Sequence, residues 1–355
     1  MDFFKKYTSA TVAAINNQAK YTLPDANVRT CRTYARSEVT ANTEFALLFG
    51  DTVDSTFDDG SVSRCNMVCG NWEIKGARIG VTDTVGADPA ETYTLTFDGK
   101  TDKKVSEGEV FWTDPVKFAV KFGQYFCVEI DYCGKEIPIL FETVISSYNK
   151  GEDGWYRDIF LPVPNMIGCA RTDVTRIGFW GDSITHGLGT DHESYAHYAA
   201  VVASEIGDSC AYWDLGIGYA RGSDAATCGA WMNKAKQNDI VTVCFGVNDI
   251  NQGHSTEDIK ASLDTIVDEL KKTGCKVIIQ TVPPFDHEGE QAEKWYAVNE
   301  YITNVLSKRC DGYFDNDAIL CDEVTPTKAK YGGHPNADGH LLWGKALAKV
   351  IKELL

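Results

Sequence analysis

The sequence has no apolar run long enough to cross a membrane and no cluster of basic side chains. Its 355 residues include 34 Lys and Arg against 51 Asp and Glu, which gives a formal net charge of −17. A nucleic-acid-binding protein normally presents a basic patch, and crossing a bilayer takes about 20 apolar residues in a row. We therefore expect neither a nucleic-acid partner nor a membrane partner.

Signals for leaders, metals and nucleotides are also missing. The opening Met-Asp-Phe-Phe-Lys-Lys lacks the apolar core of a secretory signal, so a cytoplasmic location is expected, or a secreted one if a leader has been trimmed. The twelve cysteines form no paired CxxC modules, and most are expected to be reduced and buried. With no Walker A loop and no dinucleotide glycine spacing, we expect no metal and no other cofactor.

The first part of the chain has the pattern of a β protein. A short helix is predicted over residues 9–19, and after it short alternating apolar segments are separated by polar turns. Asp98-Gly99 is a strong hairpin-turn signal. We predict a β-sandwich of jelly-roll or related topology over residues 1–150, followed by a linker at about 151–171. The predicted strands include 44–49, 93–97, 118–122, 125–132 and 137–141.

From residue 172 onward, apolar strands alternate with amphipathic helices. This alternation predicts an α/β domain over residues 172–355, with a parallel sheet covered by helices. Ser255 is the predicted N-cap of the third helix. The predicted strands are 176–180, 211–215, 240–245, 276–281 and 312–314. The predicted helices are 195–206, 225–236, 256–272, 291–308 and 337–355.

Ser183 follows the first of these strands, in a Gly-Asp-Ser-Ile-Thr motif at residues 181–185. A turn at the end of such a strand presents a hydroxyl at the carboxyl edge of the sheet, where open α/β folds bind ligands. A serine hydroxyl attacks an ester only with a base beside it and donors for the developing oxyanion. Ser183 is therefore the candidate nucleophile, with a simple N-cap serine as the alternative interpretation.

Two later motifs supply candidate donors for the oxyanion. Gly216 follows the second predicted strand, where a glycine lets its backbone N–H approach a reacting carbonyl; Gly218 is an alternative. Asn248, in a Gly-Val-Asn-Asp motif, carries an amide that can donate to the same oxygen. We predict an oxyanion hole formed by Ser183, Gly216 and Asn248.

His334 is the candidate general base. It begins the motif His-Pro-Asn-Ala-Asp-Gly-His at residues 334–340, just before the last predicted helix. It would accept the Ser183 proton and later give it to the leaving alkoxide. His340, at the other end of the motif, is expected to be structural.

The order of these four motifs resembles the SGNH, or GDSL-type, hydrolases over residues 172–355. The β-rich half is similar to the sandwich that precedes the catalytic domain in two-domain, acetylxylan-esterase-like carbohydrate esterases, on segments 45–50, 95–99 and 112–116. The resemblance implies a three-layer, flavodoxin-like hydrolase domain with Ser183 and His334 at one rim of its sheet. It also implies ester hydrolysis through an acyl-enzyme.

The family pattern is not complete. The family usually has an aspartate three residues before the histidine, where this chain has Tyr331, and an asparagine where this chain has Asp214. Three explanations for the missing acid stay open. A backbone carbonyl near Gly332 orients His334 in a Ser–His dyad, a different carboxylate takes the role, or the site is inactive. The nearest carboxylates in sequence are Asp317, Asp322 and Glu323.

The resemblance implies removal of acetyl groups from O-acetylated carbohydrates, with a small-molecule or oligosaccharide ester as the partner. A lipase-like or thioesterase-like hydrolase and a non-catalytic carbohydrate-binding protein are the alternatives. Trp180, Trp213 and Trp231 lie near the motifs in sequence and either pack in the core or stack on a sugar ring. The sequence sets no oligomeric state.

Overall fold

The computed structural model describes residues 4–54, 65–140 and 145–355. It contains two compact units. The first comprises Met1–Val174 and Ala211–Trp213, and the second comprises Thr175–Cys210 and Asp214–Leu355. Long runs of fully buried apolar side chains occur in both, so each unit has a core of its own.

The first unit is built almost entirely of strands, preceded by a 3₁₀ turn at Phe4–Lys6. In chain order its strands, β1 to β16, are Thr8–Ser9, Ala19–Thr22, Arg29–Arg36, Ala41–Gly50, Thr52–Val53, Met67–Val68, Trp72–Thr82, Thr92–Leu95, Lys103–Val105, Val110–Trp112, Val116–Val120, Tyr125–Gly134, Glu136–Ile139, Ser146–Gly151, Gly154–Arg157 and Met166–Cys169. The predicted strand over 137–141 is therefore β13, and Phe141 lies outside the described residues.

Two antiparallel sheets dominate this unit. One has the order β1-β16-β4-β10, with β11 also on β4, and the other has the order β15-β14-β3-β12-β7-β8, with β9 also on β7. In β12, Val128 and Ile130 are buried, whereas Glu129 between them binds Arg32 and Arg78 of the neighbouring strands. One apolar and one polar face is typical of a sheet that covers a core. The sheets fit the predicted β-sandwich, and its jelly-roll topology stays a prediction.

The hairpin turn predicted at Asp98-Gly99 is present. Phe97 and Lys100 exchange two backbone hydrogen bonds, of 2.7 and 3.1 Å. The two residues between them have φ values of 52° and 78°, as a tight type I′ turn requires.

The predicted helix over residues 9–19 is wrong. The structure has no helical turn there, and most of its side chains are buried. Ala10 N donates to Ile167 O and Gln18 N donates to Ile139 O, both at 2.8 Å. Pairing with distant strands supplies hydrogen bonds that a helix would make locally, so tertiary contacts override the helical propensity of this alanine-containing segment.

Residues 151–171, predicted as a linker, contain two strands. β15 pairs with β14 across a turn from Gly151 to Gly154, and β16 pairs with β4. Glycine with acidic residues is the composition both of linkers and of hairpin turns. The strands on either side decide between the two, and here they make a hairpin.

The second unit alternates strands and helices. The strands of this part of the chain, β17 to β21, are Thr175–Gly181, Cys210–Asp214, Ile240–Cys244, Lys276–Gln280 and Gly312–Phe314, and residues Ala211–Trp213 of β18 are those grouped with the first unit. Its helices, α1 to α9, are Ser183–His186, Tyr198–Ile206, Gly222–Ala225, Ala230–Ala235, Val247–Asn251, Thr256–Lys271, Gly289–Asn304, Asp317–Leu320 and Ala337–Lys352, with a 3₁₀ turn at Leu306–Arg309.

The five strands form one sheet in the order β18-β17-β19-β20-β21. The pairs β17–β19, β19–β20 and β20–β21 are parallel, which confirms an α/β domain with a parallel sheet. The helices pack in two groups, α2 with α9 and α6 with α3 and α7, as helices on both faces of a sheet would. The flavodoxin-like topology stays a prediction.

The N-cap predicted for the third helix is confirmed. Ser255 caps α6, its Oγ accepting a hydrogen bond of 3.1 Å from Asp258 N. The helix predicted over 225–236 is instead divided into α3 and α4. Cys228 between them has a φ of 59°, and a residue in the left-handed region cannot continue a right-handed helix.

Candidate active site

Ser183 is the first residue of α1, directly after β17, and is 8% exposed. Gly181, the last residue of β17, has no room for a side chain, because a Cβ there would overlap Thr185 Oγ1 and lie 2.7 Å from a backbone oxygen of β19. Asp182 caps the helix, since its Oδ1 accepts a 2.9 Å hydrogen bond from Ile184 N. Strand, glycine and cap together fix Ser183 at the carboxyl edge of the sheet.

The imidazole of His334 lies against Ser183. The distance from His334 Nε2 to Ser183 Oγ is 2.8 Å. Burial lowers the pKa of this imidazole below its usual value of 6.5, so the ring is neutral at pH 7. When Nε2 accepts the Ser183 proton, Nδ1 carries the ring hydrogen. The structure thus brings the predicted nucleophile and the predicted base into hydrogen-bond contact.

The backbone of His334 is held between α9 and the loop after α1. Asn336 caps α9, its Oδ1 accepting a 3.1 Å hydrogen bond from Gly339 N. Gly189 lies so close that a Cβ there would be 2.7 Å from His334 O, and its φ is 98°. A larger residue at Gly189 would push the histidine segment away from Ser183.

No carboxylate orients His334 within the part of the chain that the structure describes. Over that part, the ring's one hydrogen bond is to Ser183, and its one ring contact is with Phe285. The Phe285 and His334 centroids are 5.3 Å apart at an interplanar angle of 83°. The sequence gives no sign of this contact.

The three carboxylates considered as candidate acids do not contact His334. Asp322 accepts hydrogen bonds of 2.9 Å from two backbone N–H groups in its own turn. Glu323 is paired with Lys330 at 3.5 Å. Burial raises the pKa of Asp317 to about 6, with Asp315 adding to the shift. All three line a cavity of about 630 Å³ beside α7, and the structure does not bring them to His334.

Tyr331, at the usual position of the acid, contacts the first turn of α9. Its carbonyl accepts a 3.0 Å hydrogen bond from Asn336 N. Its side chain covers Gly339, where a Cβ would lie 2.8 Å from Tyr331 Cβ. Tyr331 therefore packs against the helix that follows the histidine.

The N–H groups predicted to form the oxyanion hole differ in their hydrogen-bond partners. Ser183 N–H is in the first turn of α1, so it has no partner within the helix. Gly216 N–H donates to Asp214 Oδ1 at 2.7 Å. Burial raises the pKa of Asp214 well above its usual value. The oxyanion role of Gly216 stays a prediction.

Asn248 lies beside a buried carboxyl group. Its Nδ2 is 3.0 Å from Ala220 O and 3.4 Å from Asp182 Oδ2. Burial raises the pKa of Asp182 to about 7, and the charge of Asp249 acts in the same direction. These acceptors fix the direction of the Asn248 amide.

The tryptophans near the motifs are core residues. Trp180, Trp213 and Trp231 are at most 3% exposed, so none presents a face for a sugar ring. His340 is structural, as expected: it is fully buried, and its Nδ1 accepts a 3.1 Å hydrogen bond from Tyr198 N.

The described ranges contain neither a metal-binding cluster nor a membrane-spanning helix. No group of three or more His, Cys, Asp or Glu side chains there could hold a metal ion. No helix in those ranges is both long enough and apolar enough to span a membrane.

Residues 179–342, just under half of the chain, match the GDSL-like Lipase/Acylhydrolase family. The matched segment includes the motifs around Ser183, Gly216, Asn248 and His334. The resemblance to this family stated from the sequence is thereby confirmed for the matched segment. No curated protein matches the chain.

Three of the solved structures that are similar to this chain are the following. One is a member of the lipolytic protein G-D-S-L family from Veillonella parvula DSM 2008, with 17% identity, 50% of this chain and 99% of that chain covered, and a TM-score of 0.42. Another is a mutant acetyl-xylooligosaccharide esterase from Geobacillus Stearmophilus, with 22% identity, coverage of 50% and 94%, and a TM-score of 0.40. A family two carbohydrate esterase from Clostridium thermocellum in complex with cellohexaose covers 98% of both chains at 14% identity and a TM-score of 0.41. Likenesses at this level do not assign a substrate.

Proposed function

We propose that the protein is a serine esterase in which Ser183 is the nucleophile and His334 the general base. The observation that supports the proposal best is the 2.8 Å hydrogen bond between Ser183 Oγ and His334 Nε2, inside a segment that matches an acylhydrolase family. Nucleophile and base within hydrogen-bond reach are the minimum that acyl transfer by serine requires.

The reaction runs in two halves. Ser183 Oγ attacks the ester carbonyl while its proton passes to His334 Nε2, and Ser183 N–H stabilises the oxyanion that forms. Gly216 N–H and the Asn248 amide are the further proposed donors, once the oxyanion replaces the oxygens that they bond in this structure. The imidazolium then gives its proton to the departing alkoxide, and the acyl group remains on Ser183 as an acyl-enzyme. Water, deprotonated by His334, attacks that ester and releases the acid.

The pair works as a dyad in this proposal. Among the described residues no carboxylate bonds to His334, and Asp322 and Glu323 are engaged in other contacts. The acid of a triad fixes the imidazole tautomer and stabilises the imidazolium. Here the tautomer must be set by the surroundings of the ring.

We further propose that the substrate is an O-acetylated carbohydrate. The support is the order of the chain, in which a β-rich unit precedes the hydrolase segment as in the carbohydrate esterases that the sequence resembles. The role of the β-rich unit, as a glycan-binding or bracing domain, belongs to this proposal.

The test is hydrolysis of a series of 4-nitrophenyl esters, from acetate to decanoate, by the wild-type protein and Ser183→Ala. We expect rapid acetate turnover that disappears in the variant, followed by release of acetate from acetylated oligosaccharides. Preference for decanoate would move the substrate to a lipid-like ester. Equal, negligible rates in both proteins would refute the esterase proposal and favour glycan binding.

A further inference from the structure

Phe285 is the aromatic side chain in contact with the His334 ring. The two centroids are 5.3 Å apart and the planes meet at 83°, an edge-to-face arrangement, which is a favoured geometry for aromatic pairs. The same phenyl ring covers the backbone before the histidine, because a Cβ at Gly333 would lie 3.0 Å from two of its carbons. Phe285 thus restricts the movement of both the His334 ring and the backbone just before it.

The loop that carries Phe285 is tied down on the side of α7. Trp295 Nε1 donates to Val282 O at 2.9 Å and to Pro283 O at 3.2 Å. Val282 N donates to Asn299 Oδ1 at 2.7 Å. The consecutive prolines at 283 and 284 further restrict the backbone before Phe285.

The same loop is tied to the stretch of chain that leads into His334. Ala329 N donates to Asp286 Oδ1 at 3.0 Å, and Lys328 Nζ is 2.7 Å from Glu288 Oε1. Phe285 therefore stands on a segment that is fixed relative to both α7 and the histidine segment.

We propose that Phe285 is a positioning residue: its ring holds the His334 imidazole in the orientation that directs Nε2 at Ser183, in place of a carboxylate. This inference rests on the proposed function, because it assigns a task within the same site. It also explains how a Ser–His pair keeps its geometry where the triad acid is replaced by Tyr331.

The test compares three substitutions. Phe285→Leu removes the ring but keeps apolar bulk, Phe285→Tyr keeps the ring, and Tyr296→Leu is the matched control, since Tyr296 is an aromatic residue of α7 that is 49% exposed. Unfolding temperatures establish that each variant is folded. We expect kcat on 4-nitrophenyl acetate to fall about tenfold in Phe285→Leu with KM little changed, and to stay near wild type in the other two.

A second readout does not need activity. The ¹⁵N shifts of the His334 ring, assigned with His334→Gln, report the tautomer and the pKa. We expect one dominant tautomer in wild type and Phe285→Tyr, and a mixture in Phe285→Leu. Phe285→Ala also exposes the ring, so the pKa of His334 should rise towards 6.5 and the acid limb of kcat/KM should move to higher pH.

Wild-type kcat together with wild-type ring shifts in Phe285→Leu would overturn the inference. If no protein in the set hydrolyses esters, the esterase proposal fails, and the ring shifts alone decide whether Phe285 orients His334. A higher KM with an unchanged kcat in Phe285→Leu would also count against positioning, because it would indicate that Phe285 contacts the substrate.

Discussion

Ser183 is both the first residue of a helix and the proposed nucleophile. As the first residue of α1 it leaves its N–H without a partner in the helix, while its hydroxyl contacts His334 at 2.8 Å. Both properties follow from a strand that ends in Gly-Asp-Ser, which is why this residue could be singled out from the sequence. His334 could be found too, because its motif leads into α9.

The surroundings of His334 could not be predicted in this way. Asp322 and Glu323 are close to it in sequence, yet the turn and the lysine they contact hold them elsewhere. Phe285 comes from a loop far away in the chain, and a single phenylalanine in a loop has no local signal. Contacts set by tertiary packing are not encoded in a motif.

Asn248 provides a test at the scale of one residue. Asn248→Ala should lower kcat by about 10²–10³ with little change in KM, because an oxyanion donor acts mainly in the transition state. Steady-state kinetics on 4-nitrophenyl acetate measure both values. Asn304→Ala, an exposed asparagine at the end of α7, is the control and should behave as wild type. A loss below threefold for Asn248→Ala would remove it from the oxyanion hole.

Among the elements, the five strands and the longer helices of the α/β sheet region were predicted within a few residues, because each carries its own periodicity. The short helices α1, α5 and α8 were not predicted, and the helix predicted over 225–236 is two helices. The failures in the first unit have two physical causes. Segment 9–19 and strand β16 are set by pairing with strands far away in the chain, which a local pattern cannot show. Strand β15 forms a local hairpin with β14, and its turn of glycine and acidic residues has the composition of a linker.

At the scale of elements, the prediction concerns Gly181, at the junction of β17 and α1. Gly181→Ala should both destabilise the protein and abolish esterase activity, because the new Cβ would overlap Thr185 and press on a backbone oxygen of β19. Thermal unfolding and 4-nitrophenyl acetate hydrolysis measure the two effects.

Gly222→Ala is the matched control for this change. A Cβ at Gly222, in the short helix α3, would have its nearest neighbour at an ordinary contact distance of 3.6 Å, so stability and activity should stay close to wild type. A Gly181→Ala protein with full stability and activity would show that the strand–helix junction does not need glycine.

Over the whole molecule, the net charge of −17 sets which substrates approach easily. A strongly negative protein repels anions at low ionic strength, and salt weakens the repulsion once the Debye length falls to about 10 Å. For a neutral substrate, kcat/KM should not depend on the salt concentration.

This leads to a prediction on two matched esters, 4-acetoxybenzoate and its neutral methyl ester. Between low and high salt, kcat/KM should rise about threefold for the anion and stay constant for the methyl ester. The measurement is kcat/KM across a salt series. A fall in kcat/KM for the anion would instead reveal a local positive potential at the site.

The most direct test of the central claim is covalent trapping with a 4-nitrophenyl alkylphosphonate. Ser183 Oγ should form a bond to phosphorus as 4-nitrophenolate leaves, so intact-mass analysis and peptide mapping should find one adduct, on Ser183. The same treatment should leave Ser183→Ala unmodified and label His334→Ala far more slowly. An adduct on another residue, or none in a protein that hydrolyses the acetate ester, would contradict the account.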